Sequence, residues 1–264
     1  MNIDKRYIGA LILSPFIIIL FLGGIYLKIA ALILSILGMY EFYNVVEKKE
    51  FKPIALMSYI AIVIYFILNN NTDYLVYIVG ILTFLSLCIP VINTKYNFSD
   101  IAITVLGFVY AGVFFSFIPE INSMKYGNYL IWLIFISSWL CDTAAYYTGK
   151  YLGKRKLCPE VSPKKTIEGS IGGLLGSIIG CTIFGFIIGS YGVEISIIHY
   201  GIIGLLCGIF GQFGDLVASS IKRYVGVKDY SNLIPGHGGI LDRFDSVLFS
   251  SVVLFVYLSL VLGF

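Results

Sequence analysis

Charge is what this sequence is short of. Asp, Glu, Lys and Arg make up 12% of the 264 residues, while 58% are hydrophobic; a globular domain usually carries roughly 25% charged residues. So few polar side chains cannot coat a soluble domain of any size, and none is expected. Mean hydropathy is +0.92, and apolar runs of about 20 residues, the length that crosses the hydrocarbon of a bilayer, fill almost the whole chain. The expected fold class is therefore an all-α, polytopic integral membrane protein forming one transmembrane domain, residues 1–264.

Other absences narrow the chemistry. The five cysteines (Cys88, Cys141, Cys158, Cys181, Cys207) are scattered, four of them inside apolar runs. They lack metal-type spacing and read as inert core thiols. There is no Ser-His-Asp or Cys-His arrangement, and no Walker-type Gly-Lys-Ser/Thr follows the glycine-rich run after Thr166. The first apolar run follows Asp4, Lys5 and Arg6 but leads straight into another without a small-residue cleavage site. A retained first span is expected rather than a signal peptide.

What is present is a series of nine expected spans: Tyr7 to Leu22, Ile25 to Val46, Pro53 to Leu68, Tyr74 to Pro90, Ile101 to Ile118, Tyr129 to Tyr147, Ile167 to Ser190, Ile195 to Ser220 and Ile240 to Leu262. The first two are separated by only Gly23 and Gly24. With the N-terminus in the cytoplasm, sixteen Lys and Arg fall on inner segments and only Lys28 and Lys125 outside, the asymmetry expected when basic residues stay inside during insertion. Residues 1–125, spans one to five, read as scaffold, with Glu41, Pro119 and Glu120 as interface residues. Residues 126–264, spans six to nine, hold the polar chemistry.

Span six carries Asp142 roughly 12 Å of helix before Lys150. An acid at that depth is either a structural ion pair or helix contact, or a functional group, the default for ionisable residues in a membrane. Tyr146, four residues on, shares its face. The next loop supplies Lys154, Arg155, Lys156, Lys164 and Lys165; such a cluster sets topology or meets anionic lipid. Ser162 and Pro163 resemble an N-cap and first helical residue, which would put Lys164 and Lys165 in a first helical turn facing an anion. Span seven repeats small residues every four positions (Gly169, Gly173, Ser177, Cys181, Gly185, Gly189), a pattern of close helix packing within the subunit or across a dimer. Span eight does the same through Gly211, then places Asp215, Ser219 and Lys222 along that strip. His199 sits at its opposite end.

The most polar stretch runs from Ser219 to Asp245. It combines Lys222, Arg223, Lys228 and Arg243 with Asp229, Asp242 and Asp245, around a turn of Pro235, Gly236, His237, Gly238 and Gly239. Asp242 and Asp245 are three apart where an apolar helix begins, so they share a face near its positive end. With Asp215 they make three acids from two helices, ringed by cations. Such a set suits anionic phosphate held by a hard cation such as Mg²⁺. Phosphoryl or nucleotidyl transfer asks for metal, cations and positioning rather than a protein nucleophile. Buried acids also mark ion pathways, so a secondary transporter is the rival reading; the acids cluster at one rim, however, and no inverted repeat with broken helices is evident. A lipid-binding scaffold without catalysis would have no need of paired carboxylates.

The run Ser219, Lys222, Arg223, Lys228, Asp229, Ser231, Ile234, Pro235, His237, Gly238, Gly239, Asp242, Arg243 and Asp245 resembles the motif of the phosphatidate cytidylyltransferase (CDP-diacylglycerol synthase) family. The segments CDTAAYYTGK and SPKKTIEG resemble the same family's second block, with Ile167 where an aromatic is expected. The likeness covers the chain from about Cys141 onward. It implies a Mg²⁺-dependent transfer of the cytidylyl group of CTP to phosphatidate, in the cytoplasmic membrane with the site open to the cytoplasm. It further implies that Asp215, Asp242 and Asp245 hold one cation, with room for a second. Lys222, Arg223 and Arg243 would take lipid or nucleotide phosphate, Lys164 and Lys165 the triphosphate, and Asp142 the nucleotide or the metal. Ser219, Lys228, Asp229 and His237 are expected around the substrates, His237 for phosphate contact or turn geometry, since an ionised phosphate needs no general base. A homodimer is expected, and no nucleic-acid partner.

Overall fold

The computed structural model describes residues 15–68 and 71–264. Among the described residues, seven helices are long and apolar enough to cross a membrane: α1 (Gly24–Glu47), α3 (Thr72–Ile92), α4 (Phe98–Ser123), α5 (Gly127–Leu152), α6 (Ile167–Gly189), α7 (Ile197–Val225) and α8 (Leu241–Leu260). A shorter helix, α2 (Ala55–Ile67), lies between α1 and α3. The chain is an α-helical multi-pass membrane protein. At 13 residues, α2 extends only about 20 Å, short of the roughly 30 Å hydrocarbon core.

Each expected span from the second onward coincides with one of these helices. Much of the first, Tyr7 to Ser14, lies outside the described residues; residues 15–22 are helical. The break after them falls where the sequence placed it, because Gly23 and Gly24 both adopt positive φ, 60° and 51°, which side-chain-bearing residues rarely do.

The chain packs as two units. One draws on the segment up to Glu120 together with Tyr224–Arg243, the other on Ile121–Arg223 with Phe244–Phe264. In the first, α4 begins with a capping box in which Asn97 and Asp100 exchange side-chain and backbone bonds, satisfying N–H groups that a helix start leaves open. One π-helical turn, Phe108–Val113, interrupts it. There the Ser35 hydroxyl donates to the Gly112 carbonyl at 2.9 Å. Buried Phe42, Tyr43, Phe108 and Tyr110 fill the space around that turn, with Phe42 meeting Tyr43 and Tyr110 edge-on.

In the second unit most of the small residues of α6 face other helices of the chain. A Cβ on Gly176 would stand 2.6 Å from the Ala144 Cβ and 2.9 Å from the Leu140 carbonyl of α5, and one on Gly204 of α7 would stand 2.8 Å from the Ile178 Cα. Three helices thus touch backbone to backbone, and the Ser177 hydroxyl donates to the Gly204 carbonyl at 2.7 Å. His199 pairs with the Tyr257 hydroxyl at 2.8 Å.

The loop before α6 corrects one expectation. Ser162 and Pro163 do not start a helix: Ser162–Thr166 forms strand β2, antiparallel to β1 (Lys156–Cys158), with Lys156 opposite Thr166. Lys164 and Lys165 therefore lie on a strand. The N-cap is Thr166, whose hydroxyl accepts from the Gly169 N–H at 3.1 Å. Glu168 then accepts from the Lys154 and Arg155 N–H groups at 3.0 and 3.2 Å, tying the hairpin to the helix start. Thr166 packs against the glycines at 149, 153 and 169, where an added Cβ would stand 2.9–3.0 Å from its side-chain atoms.

Gly176→Leu is expected to lower stability by about 1–3 kcal/mol through overpacking. Gly189→Ala, with nothing within 4 Å of the added carbon, should leave it unchanged; unfolding in detergent reads both.

Candidate functional site

A cleft of about 370 Å³ opens in the second unit, lined among others by Asp142, Tyr146, Lys164, Lys165, Gln212 and Asp215. Its residues come from α5, both strands of the β1–β2 hairpin, α6 and α7, so the hairpin that displaced the expected helix is what brings both lysines to the acids. The Lys165 ammonium is ion-paired with the Asp215 carboxylate, both about 30% exposed. Ser219, one turn on, sits 3.4 Å from the other Asp215 oxygen, and Gln212 donates to the Ser170 carbonyl at 3.2 Å.

Asp245, on α8, is almost fully buried in the same unit. Its carboxylate accepts the Ser246 N–H at 2.8 Å and lies within electrostatic reach of Asp215, of Asp142 and of the buried Lys222 ammonium. The acids come this close because Gly214 lets α7 press on α8: a Cβ there would collide with the Asp245 carbonyl. Arg223, next to Lys222, is exposed.

The glycine turn belongs to the first unit. Gly236 and Gly238 have φ of 76° and 83°, the Ile234 N–H donates to the Gly238 carbonyl, and the His237 N–H returns to Ile234, both at 2.9 Å. His237 is half-buried, its ring 3.5 Å from the Pro235 carbonyl. Lys228, Asp229 and Arg243 are exposed. One oxygen of Asp242 accepts from the Tyr230 and Gly239 N–H groups at 2.8 and 2.9 Å, so this acid folds the loop onto the start of α8.

The residue that sequence reasoning undervalued is Glu41. Read as an interface residue, it is 1% exposed and accepts from the Ser231 hydroxyl at 2.6 Å and the Ile240 and Leu241 N–H groups at 2.8 and 2.9 Å. A lone acid inside an apolar run was the available signal; its partners, some 190 residues away in the chain, were not.

The sequence profile of the cytidylyltransferase family matches residues 4–261. The chain belongs to that family. Among its relatives, a phosphatidate cytidylyltransferase of Bacillus subtilis (strain 168) is 41% identical over 182 residues, 69% of this chain and 66% of the relative. One of Staphylococcus aureus (strain COL) is 36% identical over 245 residues, covering 90% and 91%. One of Staphylococcus haemolyticus (strain JCSC1435) is 35% identical over 239 residues, covering 89% and 90%.

In this cytidylyltransferase a Cβ on Gly239 would stand 2.5 Å from the Glu41 carboxylate. Gly239→Ala is expected to unseat the turn and speed proteolytic cleavage between residues 228 and 240 by about tenfold, the effect of losing about one buried hydrogen bond. Circular dichroism should show the helices intact.

Proposed function

We propose that this protein transfers the cytidylyl group of CTP to phosphatidate, giving CDP-diacylglycerol and pyrophosphate. The observation that carries the reading is the gathering of lysines and carboxylates in one cleft, Lys164 and Lys165 with Asp142, Asp215 and Gln212, in a chain whose relatives are named for this activity. A phosphatidate oxygen, already ionised, attacks the α-phosphorus of CTP; that P–O bond forms as the bond to the bridging α–β oxygen breaks, and pyrophosphate leaves with the electron pair. No proton has to be removed from the nucleophile, so no general base is assigned, and His237 serves the turn or a phosphate.

The donor set fits a hard cation. Among the described residues no three His, Cys, Asp or Glu side chains are grouped to hold a metal alone, yet Mg²⁺ is commonly held by one or two carboxylates completed by substrate phosphates and water. Asp215 and Asp245 are the pair proposed to hold it. Asp242, three residues earlier on α8, is proposed as a further ligand. Bound there, Mg²⁺ would neutralise charge on phosphate oxygens.

The chain's own cations do the remaining work. Lys165, paired with Asp215, is proposed to exchange that carboxylate for the triphosphate, with Lys164 beside it. Lys222, Arg223 and Arg243, with Ser219, Lys228 and Asp229 nearby in sequence, are proposed to take lipid or nucleotide phosphate, and Asp142 to face the nucleotide. Nine spans, a cytoplasmic N-terminus and a cleft open to the cytoplasm, where CTP is, are also proposed, supported by the placement of basic residues. The homodimer is also proposed, on surfaces other than the small-residue strip of α6.

Purified protein in detergent with CTP, Mg²⁺ and phosphatidate is expected to release pyrophosphate; ion flux in liposomes without turnover would instead favour a transporter. Chelation of divalent ions should abolish release and Mg²⁺ should restore it. Asp215→Asn, Asp242→Asn and Asp245→Asn are each expected to lower kcat by about 100-fold or more, the scale on which electrostatic stabilisers act. Lys165→Met should raise the KM for CTP more than that for phosphatidate.

A further inference from the structure

Glu41 presents an unusual arrangement for an acid in a membrane bundle. It is almost completely buried, and among the described residues no ion pair involves it. Its compensation is entirely by donors: a hydroxyl and a backbone N–H on one oxygen, a second N–H on the other. Two of these are the N–H groups of Ile240 and Leu241, at the start of α8, where a helix leaves donors unsatisfied and carries partial positive charge. The third comes from Ser231, at the far side of the glycine turn. Both ends of the loop are thus drawn to one carboxylate. Gly239 between them approaches so closely that a side chain there would strike the Glu41 oxygens.

Asp242 repeats the device from the opposite end, taking the N–H groups of Tyr230 and Gly239. Residues 230–241 are therefore held between two acids, one of them on α1.

We infer that Glu41 is a positioning residue for the transfer reaction, setting the loop 230–240 and the first turn of α8 without touching substrate; this rests on the activity proposed above. The role demands a carboxylate. A carboxamide at the same position has one acceptor oxygen and an NH₂ that would point at an N–H donor, so it cannot serve all three partners. α1 is then part of the catalytic apparatus rather than scaffold.

The test combines turnover with hydrogen exchange on the full-length protein in detergent. Glu41→Gln is expected to lower kcat by about 10- to 100-fold, as loss of supporting hydrogen bonds does around a reactive centre. Exchange should quicken in peptides covering 230–241 while α3, α6 and α7 keep wild-type protection. Glu41→Asp, which keeps both acceptors on a shorter arm, should recover part of the rate. Ser231→Ala tests the same anchor without touching the buried acid; combined with Glu41→Gln it should cost less than the sum of the two, because both remove one interaction. Additive effects, wild-type turnover in Glu41→Gln, or exchange that quickens equally in every helix would each overturn the proposal. If the unsubstituted protein releases no pyrophosphate from CTP and phosphatidate, the reading of the activity fails, while the exchange measurements still decide whether Glu41 anchors the loop.

Discussion

A carboxylate buried among apolar helices has to be compensated by donors or cations, because desolvating it alone costs several kcal/mol. The polar architecture of this protein follows from that requirement. Glu41 is met by a hydroxyl and two backbone N–H groups, Asp242 by two further N–H groups and Asp215 by the Lys165 ammonium. Each solution uses a different kind of donor and leaves a different capacity for ligands. Backbone donors cannot move away without unfolding a loop, so Glu41 is committed to structure. A lysine on a long flexible stem can be exchanged for another cation or drawn to an anion, so the Asp215 pair is suited to binding.

The same economy explains the glycines. Carboxylates on adjacent helices approach one another only if the helices do, and α7 and α8 come together where Gly214 removes the side chain that would otherwise collide with the Asp245 backbone. Gly172, Gly176 and Gly204 play the corresponding part among α5, α6 and α7. In a membrane, where lipid competes equally well for apolar surface, close backbone approach supplies the packing that buries polar groups. The small-residue strips are therefore the means by which the cleft keeps its walls in place.

Much of this was legible from composition and spacing. The helices from Gly24 onward follow the apolar runs, because in hydrocarbon every backbone N–H and C=O must be satisfied within its own segment, which leaves the helix as the answer for any such run. Asp142, Lys164, Lys165 and Asp215 were nominated from the sequence and do line one cleft. The conformation that delivers the lysines was misjudged. Ser162-Pro163 satisfies the local rule for a helix start, but Ser162–Thr166 pairs with Lys156–Cys158 instead, and the Thr166 hydroxyl caps the helix by accepting from the Gly169 N–H.

Composition by itself determined that this is a multi-pass helical protein, and the order of its residues placed the acids and cations within spans six to nine. Only the tertiary structure decided which acid meets which donor. Helical spacing relates residues three or four apart, whereas Glu41 and Ile240 are separated by 199 positions, and no local rule carries information over that distance. Their meeting depends on how the helices pack, and it is packing that makes a glutamate of α1, read from the sequence as an interface residue, the anchor of the glycine turn.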